Sequence, residues 1–260
     1  MRARLPAMTW RFDLATAIGG RAEQQDRSEV FGLPGRPNDH LVVLADGMGG
    51  QQHGALAAQT VLDTARHALT GLVKRNPREG LTDLCHAAHE AIRSIGRQDG
   101  SNPASTCTAL LLRGDEAYWI HVGDSRLYHF DGDTQLFRTP DHTLASLLQG
   151  RQGGGAATRS GKRRNSRLYM CLGGNNELEP AFGATAIGKN DWFLLCSDGF
   201  WNQVQSTEAA HRVTSTPAES ENAADLVALA AQRGGPGADN VSLVLATRTR
   251  KAGKRAWWRR

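Results

Sequence analysis

"VVLADGMGGQQHG", residues 42–54, runs an apolar strand into one acid, Asp46, and then into four glycines within eight residues. A lone Asp-Gly is a turn former. A carboxylate followed by bare backbone suggests instead that something small and charged is held there. The pattern recurs. "WFLLCSDG", residues 192–199, is a second apolar strand ending in Asp-Gly, at Asp198. "GGPGADNVSLVLA", residues 234–246, is its mirror: a glycine-rich loop delivers Asp239 to the start of an apolar strand. A fourth acid, Asp26 in "GGRAEQQD", follows the first strand.

Four carboxylates at the ends of separate core strands repel one another unless cations hold them together. Oxygen-only ligation points to hard ions, Mg2+ or Mn2+. Gly47 fits this picture because its carbonyl can approach an ion unhindered. Two divalent ions suit in-line attack at phosphorus, since they acidify water and polarise phosphate oxygens. Arg21, five residues before Asp26, offers the planar fork that matches a phosphate.

Apolar alternation predicts strands at 12–18, 40–45, 105–112, 117–122, 126–130, 192–196 and 241–247. "DGDT" at 131–134 predicts a hairpin turn. Helical spacing predicts helices at 54–72 (Leu56, Val61, Ala65 and Leu69 inward) and 80–97 (Leu81, Leu84, Cys85, Ala88, Ile92 and Ile95 inward). Shorter helices are predicted at 143–149, 206–214 and 219–232. Hairpin-linked strands with helices grouped between them indicate an α+β fold, antiparallel sheets covered by helices.

Of the 260 residues, 40% are hydrophobic and 22% charged, as in an ordinary globular domain. No apolar run approaches the roughly 20 residues of a membrane span, and the N-terminus lacks a signal-peptide core. Four scattered cysteines without a CxxC pair complete the expectation of a cytoplasmic protein. The net charge of +5 is local. Residues 151–167 hold six cations and residues 248–260 seven, with no acid in either; the remainder carries about −8. A nucleic-acid binder spreads cations over a folded face, so no nucleic-acid partner is expected. The tail, with Trp257 and Trp258, suits weak contact with an anionic membrane surface, contact with a partner protein, or solubilisation alone.

The series "R21-AEQQ-D26", "D46-GMGG", "T108-ALLL", "H121-VGDSRLYHF", "D141-H142-T143", "C171-LGG", "L195-CSDG" and "D239-NVSLVLA" resembles the ordered motifs of the metal-dependent protein phosphatases (the PPM or PP2C family), bacterial branch, over about residues 9–247. The resemblance implies a four-layer α-β-β-α sandwich with two central antiparallel sheets and a metal centre at one end. It implies that Asp46 bridges two ions, that Gly47 offers its carbonyl, and that Asp198 and Asp239 complete the pair. Asp26 then binds through water, Arg21 holds phosphate, and Asp141 helps to hold a third ion. The implied partners are phosphoprotein substrates and a cognate Ser/Thr kinase, and the implied state is a monomer. The domain runs over residues 9–248, between tails at 1–8 and 249–260, with a flap at about 147–170 whose Lys162, Arg163, Arg164 and Arg167 attract acidic substrates.

Departures accompany the match. Gln24 stands where the family has Asn, Gln51 where many members have His, and Met48 where the eukaryotic branch has an acid-donating His. Leaving-group protonation then falls to water, His53 or His142. Asp124 reads as a structural acid paired with Arg126 or capping amides, His86 and His89 as solvent-facing, and Ser125 and Ser197 as structural. "SRLYMCLGG" is similar to phosphatases that oppose a kinase of type VI secretion. Rival readings are a single-partner regulatory phosphatase, a catalytically impaired phosphoprotein-binding module, and a nucleic-acid binder.

Overall fold

The computed structural model describes residues 8–49, 52–151, 167–216 and 220–250. The cations Lys162, Arg163 and Arg164 and the tail tryptophans Trp257 and Trp258 lie outside these residues.

Two antiparallel sheets form the centre. The first orders β1 (Met8–Ala17), β11 (Val241–Arg250), β10 (Asp191–Cys196), β7 (Arg126–Asp131) and β8 (Thr134–Arg138) side by side. The second orders β2 (Asp26–Leu33), β3 (Arg36–Met48), β5 (Cys107–Arg113), β6 (Glu116–Val122) and β9 (Ala181–Ala186), with the short β4 (Ala104–Ser105) paired to the end of β3. The 131–134 turn joins β7 to β8 as its sequence predicts, with Asp131 opposite Thr134. β1 and β11 run to Met8 and Arg250, slightly into the stretches read as tails.

Side-chain parity builds the layers, because successive residues of a strand point to opposite faces. Along β3, Val42 and Leu44 face the other sheet, where they meet Phe193, Leu195 and Val244. Leu41, Val43 and Ala45 point outward to α1 (Gln52–Lys74) and α2 (Pro77–Asp99). In the first sheet Leu194, Cys196, Leu243 and Leu245 point outward to α5 (Ser206–Ser215) and α6 (Asn222–Gly234). Strands apolar on both faces therefore require a helix layer on each side. That is the α-β-β-α sandwich the motifs imply.

Two helical expectations change. Leu56 is 46% exposed, and Ala57 and Ala58 take the inward positions, since only small residues fit where α1 lies close on β3. His89 is buried and its Nδ1 accepts the Gly173 amide at 3.2 Å, whereas His86 is exposed. All four cysteines are free. Among the described residues no helix is long and apolar enough to cross a membrane.

Candidate metal centre

Strand register brings the acids together. Asp26 opens β2 directly opposite Asp46 near the end of β3. Asp198 begins α4 (Asp198–Trp201) one residue past the end of β10, with Ser197 between, and Asp239 lies two residues before β11, the neighbour of β10. Ser197 ties the two sheets at this end. Its Oγ accepts the Ser242 amide at 3.0 Å and donates to Asp26 Oδ2 at 2.7 Å. Ser197 is thus structural, as is the buried Ser125, whose Oγ bonds Thr106 Oγ1 at 2.7 Å. Thr106 Oγ1 also accepts the Asp46 amide, and the Thr106 amide donates to Asp46 O, both at 2.9 Å.

The glycines also answer a packing demand that the sequence reading did not include. A Cβ at Gly47 would stand 1.9 Å from Gly54 O and 2.9 Å from Gln25 O. One at Gly199 would stand 2.0 Å from Asn240 O. Side chains are discarded so that backbones can cross closely enough to bring the carboxylates together. Gln24, the departure from the family's Asn, spans the turn before β2: its Nε2 donates to Ala17 O at 3.1 Å and its Oε1 accepts the Asp26 amide at 3.0 Å.

One cavity of about 810 Å3 is lined by, among others, Arg21, Asp46, Gly47, Asp124, Asp198 and Asp239. Arg21 places Nη2 2.6 Å from Asp239 Oδ2, with its side chain 56% exposed. Burial, then the charges of Asp26, Asp198, Asp124 and Asp239, push the Asp46 carboxyl well above the usual carboxylate range. Burial followed by Asp124, Asp239 and Asp26 raises Asp198 to about 7. Asp26 rises to about 6, chiefly through burial, against the lowering effect of its bonds to Ser197 and Ser242.

Two expectations about acids are revised. Asp141 does not border the cavity. Both its oxygens accept from the Arg126 fork, at 2.8 and 2.7 Å. Asp124 borders the cavity in its place and is not paired with Arg126. Burial and then Asp141 raise its carboxyl to about 6. Its carbonyl accepts Trp201 Nε1 at 2.9 Å, and Arg126 stacks 3.5 Å over the Trp201 ring. The sequence signal for Asp124 was present: it follows the apolar end of β6, as Asp46 and Asp198 end theirs. The proton-donor candidates are also elsewhere. His53 lies 3.3 Å from Asp99, and His142 is buried with Nδ1 accepting the Gly123 amide at 3.2 Å. Met48 faces the cavity.

Hard divalent cations fit this donor set. The acids are all oxygen donors, each raises the cost of charging the next, and Asp26 Oδ1 is buried without a hydrogen-bond partner. As the side chains stand, no three His, Cys, Asp or Glu groups among the described residues close on a single point. The fit is one of carboxylate density and chemistry rather than a finished coordination shell.

An all-oxygen acidic cluster beside a guanidinium, at the end of an α-β-β-α sandwich, defines a phosphate-ester hydrolase of the metal-dependent class. The chain belongs to the protein phosphatase 2C family, whose model matches residues 17–231. It is 30% identical over 243 residues to a putative protein phosphatase 2C-type of Streptococcus pyogenes, covering 90% of this chain and 96% of that one. It is 25% identical over 231 residues to the protein phosphatase PhpP of Streptococcus pneumoniae, covering 87% and 93%. Among solved structures, the S. agalactiae serine/threonine phosphatase superposes with a TM-score of 0.79 at 25% identity, covering 92% of this chain and 99% of that one. The catalytic domain of the serine/threonine phosphatase PstP, in complex with two manganese ions, superposes with a TM-score of 0.77 at 29% identity, covering 94% and 100%. PppA, a regulatory component of type VI secretion in Pseudomonas aeruginosa, superposes at 0.74 with 25% identity, covering 94% and 100%.

Proposed function

We propose that this chain hydrolyses phosphoserine and phosphothreonine in proteins, using two or three Mn2+ or Mg2+ ions held by Asp46, Asp198 and Asp239, with Asp26, Asp124 and the Gly47 carbonyl completing the set. The observation that carries the reading is the gathering of Asp46, Asp124, Asp198 and Asp239 along one cavity, with Asp26 buried in register opposite Asp46 and its Oδ1 unpartnered. The manganese complex of PstP supports the choice of cation. Divalent ions at such a site acidify water and polarise phosphate oxygens.

The chain's own residues supply the rest. Arg21, exposed and resting on Asp239, exchanges that carboxylate for the phosphoryl oxygens of the substrate. The carboxylates would hold the cations, and Ser197 locks Asp26 to the opposite sheet. No imidazole borders the cavity among the described residues, so the departing seryl or threonyl oxygen takes its proton from water. The test is turnover of p-nitrophenyl phosphate and of a phosphothreonine peptide with Mn2+, abolished by EDTA. Failure on both substrates leaves the phosphoprotein-binding module as the reading.

The finer assignment is to opposition of a Ser/Thr kinase in type VI secretion. Similarity to PppA along nearly the whole chain supports it, as does the "SRLYMCLGG" stretch. Phosphoproteomics of a deletion strain tests it: hyperphosphorylation of secretion components is expected, and none among them removes the assignment.

A further inference from the structure

The cavity is far larger than a phosphate. At about 810 Å3 it lies in the range that takes a drug-sized ligand, so a phosphoresidue enters with its neighbours. Its charged lining is asymmetric. The five acids Glu23, Asp46, Asp124, Asp198 and Asp239 are joined by two cations, Arg21 and Arg167. Arg21 is engaged by Asp239. Arg167 enters from another part of the chain and its side chain has no partner among the described residues.

Its backbone is nonetheless fixed. Arg167 O accepts the Leu144 amide at 2.9 Å at the start of α3 (Leu144–Arg151), and the next residue, Leu168, bridges Thr143. Tyr169 N then donates to His142 O at 3.0 Å, and Leu172 pairs with Ser105 through both its N–H and its C=O. An exposed guanidinium on an anchored backbone, facing a site that already has a phosphate-binding arginine, suits a second anion on the same substrate.

Resting on the phosphatase reading above, we propose that Arg167 is a specificity-determining residue: it binds the carboxylate of an acidic residue close to the phosphoresidue. The guanidinium fork receives a carboxylate through two parallel N–H···O bonds, which lysine cannot reproduce. The five acids that share the lining repel that carboxylate, so the acidic neighbour is accepted only where Arg167 can reach it.

The experiment uses the full chain with Mn2+ and a set of phosphothreonine peptides of otherwise neutral residues. Each carries Glu or Gln at one of the two positions on either side of the phosphothreonine. For the native protein the Glu:Gln ratio of kcat/KM is expected to reach about tenfold at one or two positions, expressed mainly in KM. Arg167→Gln brings the ratio to about one, and Arg167→Lys leaves an intermediate ratio that falls more steeply with salt. A peptide with a second phosphoserine at the favoured position separates general anion binding from carboxylate choice. Preference for it above Glu that is lost in Arg167→Gln reassigns the site to a second phosphate and overturns the carboxylate proposal. Hydrolysis of every peptide with a native ratio of one, or a ratio unchanged in Arg167→Gln, overturns the inference alone. Hydrolysis of none overturns the phosphatase reading together with it.

Discussion

Asp198→Asn should stabilise the metal-free protein while abolishing its chemistry. Asp198 borders the cavity, and burial followed by the charges of Asp124, Asp239 and Asp26 raises its carboxyl from 3.8 to about 7. That gap corresponds to about 4 kcal/mol of cost once the group is ionised. The side chain still meets solvent through the cavity and its repulsion is shared with Asp124, Asp239 and Asp26, so a single substitution recovers about half, ~2 kcal/mol. For a domain of this size that is a rise in Tm of about 4–8 °C. The sign follows from linkage. A carboxyl raised in the folded state destabilises the fold increasingly as pH rises from 3.8, and the full cost is present above about 7. The advantage of the variant should therefore be largest at pH 8 and vanish toward pH 4. The assay is thermal unfolding of both proteins in EDTA across that range, repeated with Mn2+. Added ion should reverse the order, because the native protein gains about 2.7 kcal/mol at a hundred times its Kd and the variant has lost a ligand. A lower Tm for Asp198→Asn in EDTA at pH 8 would refute the repulsive cluster.

Further outcomes are expected from the same geometry. Asp46→Asn and Asp239→Asn should each lose several orders of magnitude in kcat with the circular dichroism spectrum unchanged; near-native turnover in either removes the assignment of these acids. Arg21→Ala should raise KM for phosphopeptide more than it lowers kcat, measured by steady-state kinetics. Gly47→Ala must displace Gly54 or Gln25 backbone, so it should cost several kcal/mol in urea unfolding and lower activity with it. His121 is fully buried between Thr108 and the Gly123 carbonyl, and burial lowers it from 6.5 to about 3. The stability tied to its neutral form is complete above 6.5 and lost as pH falls toward about 3. Its imidazole resonances should accordingly stay constant from pH 8 to pH 5 by NMR.

The central strands were legible because both their faces are buried. β3, β5, β10 and β11 each carry an unbroken apolar run, the signature of a strand between two layers. The strands missed, β2, β8 and β9, lie at sheet edges, where one side meets solvent and the apolar pattern thins. The candidate site was legible through a single rule, an acid at a strand end, and that rule found Asp46, Asp198 and Asp239 on one cavity wall, with Asp26 buried in register opposite Asp46. It erred where partner choice decides. Asp124 and Asp141 both lie near Arg126, and which acid the guanidinium engages depends on the fold of residues 123–142, not on spacing. The same limit applies to Gly47, whose constraint comes from Gly54 crossing over it, a contact between segments that no local pattern reveals.

The place of β11 bears on how the molecule is made. The last described strand lies in the interior of its sheet, between β1 and β10, and the backbone just before it carries Asp239. A chain emerging from the ribosome can assemble the β2–β3–β5–β6–β9 sheet with its two helices first, but it cannot close the other sheet until residues 241–250 arrive. Those residues must then pair with strand partners as far as 242 positions away, between Met8 and Arg250, a separation that makes closure slow. A chain stalled or truncated before residue 239 lacks both the central strand and an acid of the cluster. Closure of that sheet and completion of the acid cluster therefore depend on the same stretch of chain, residues 239–250.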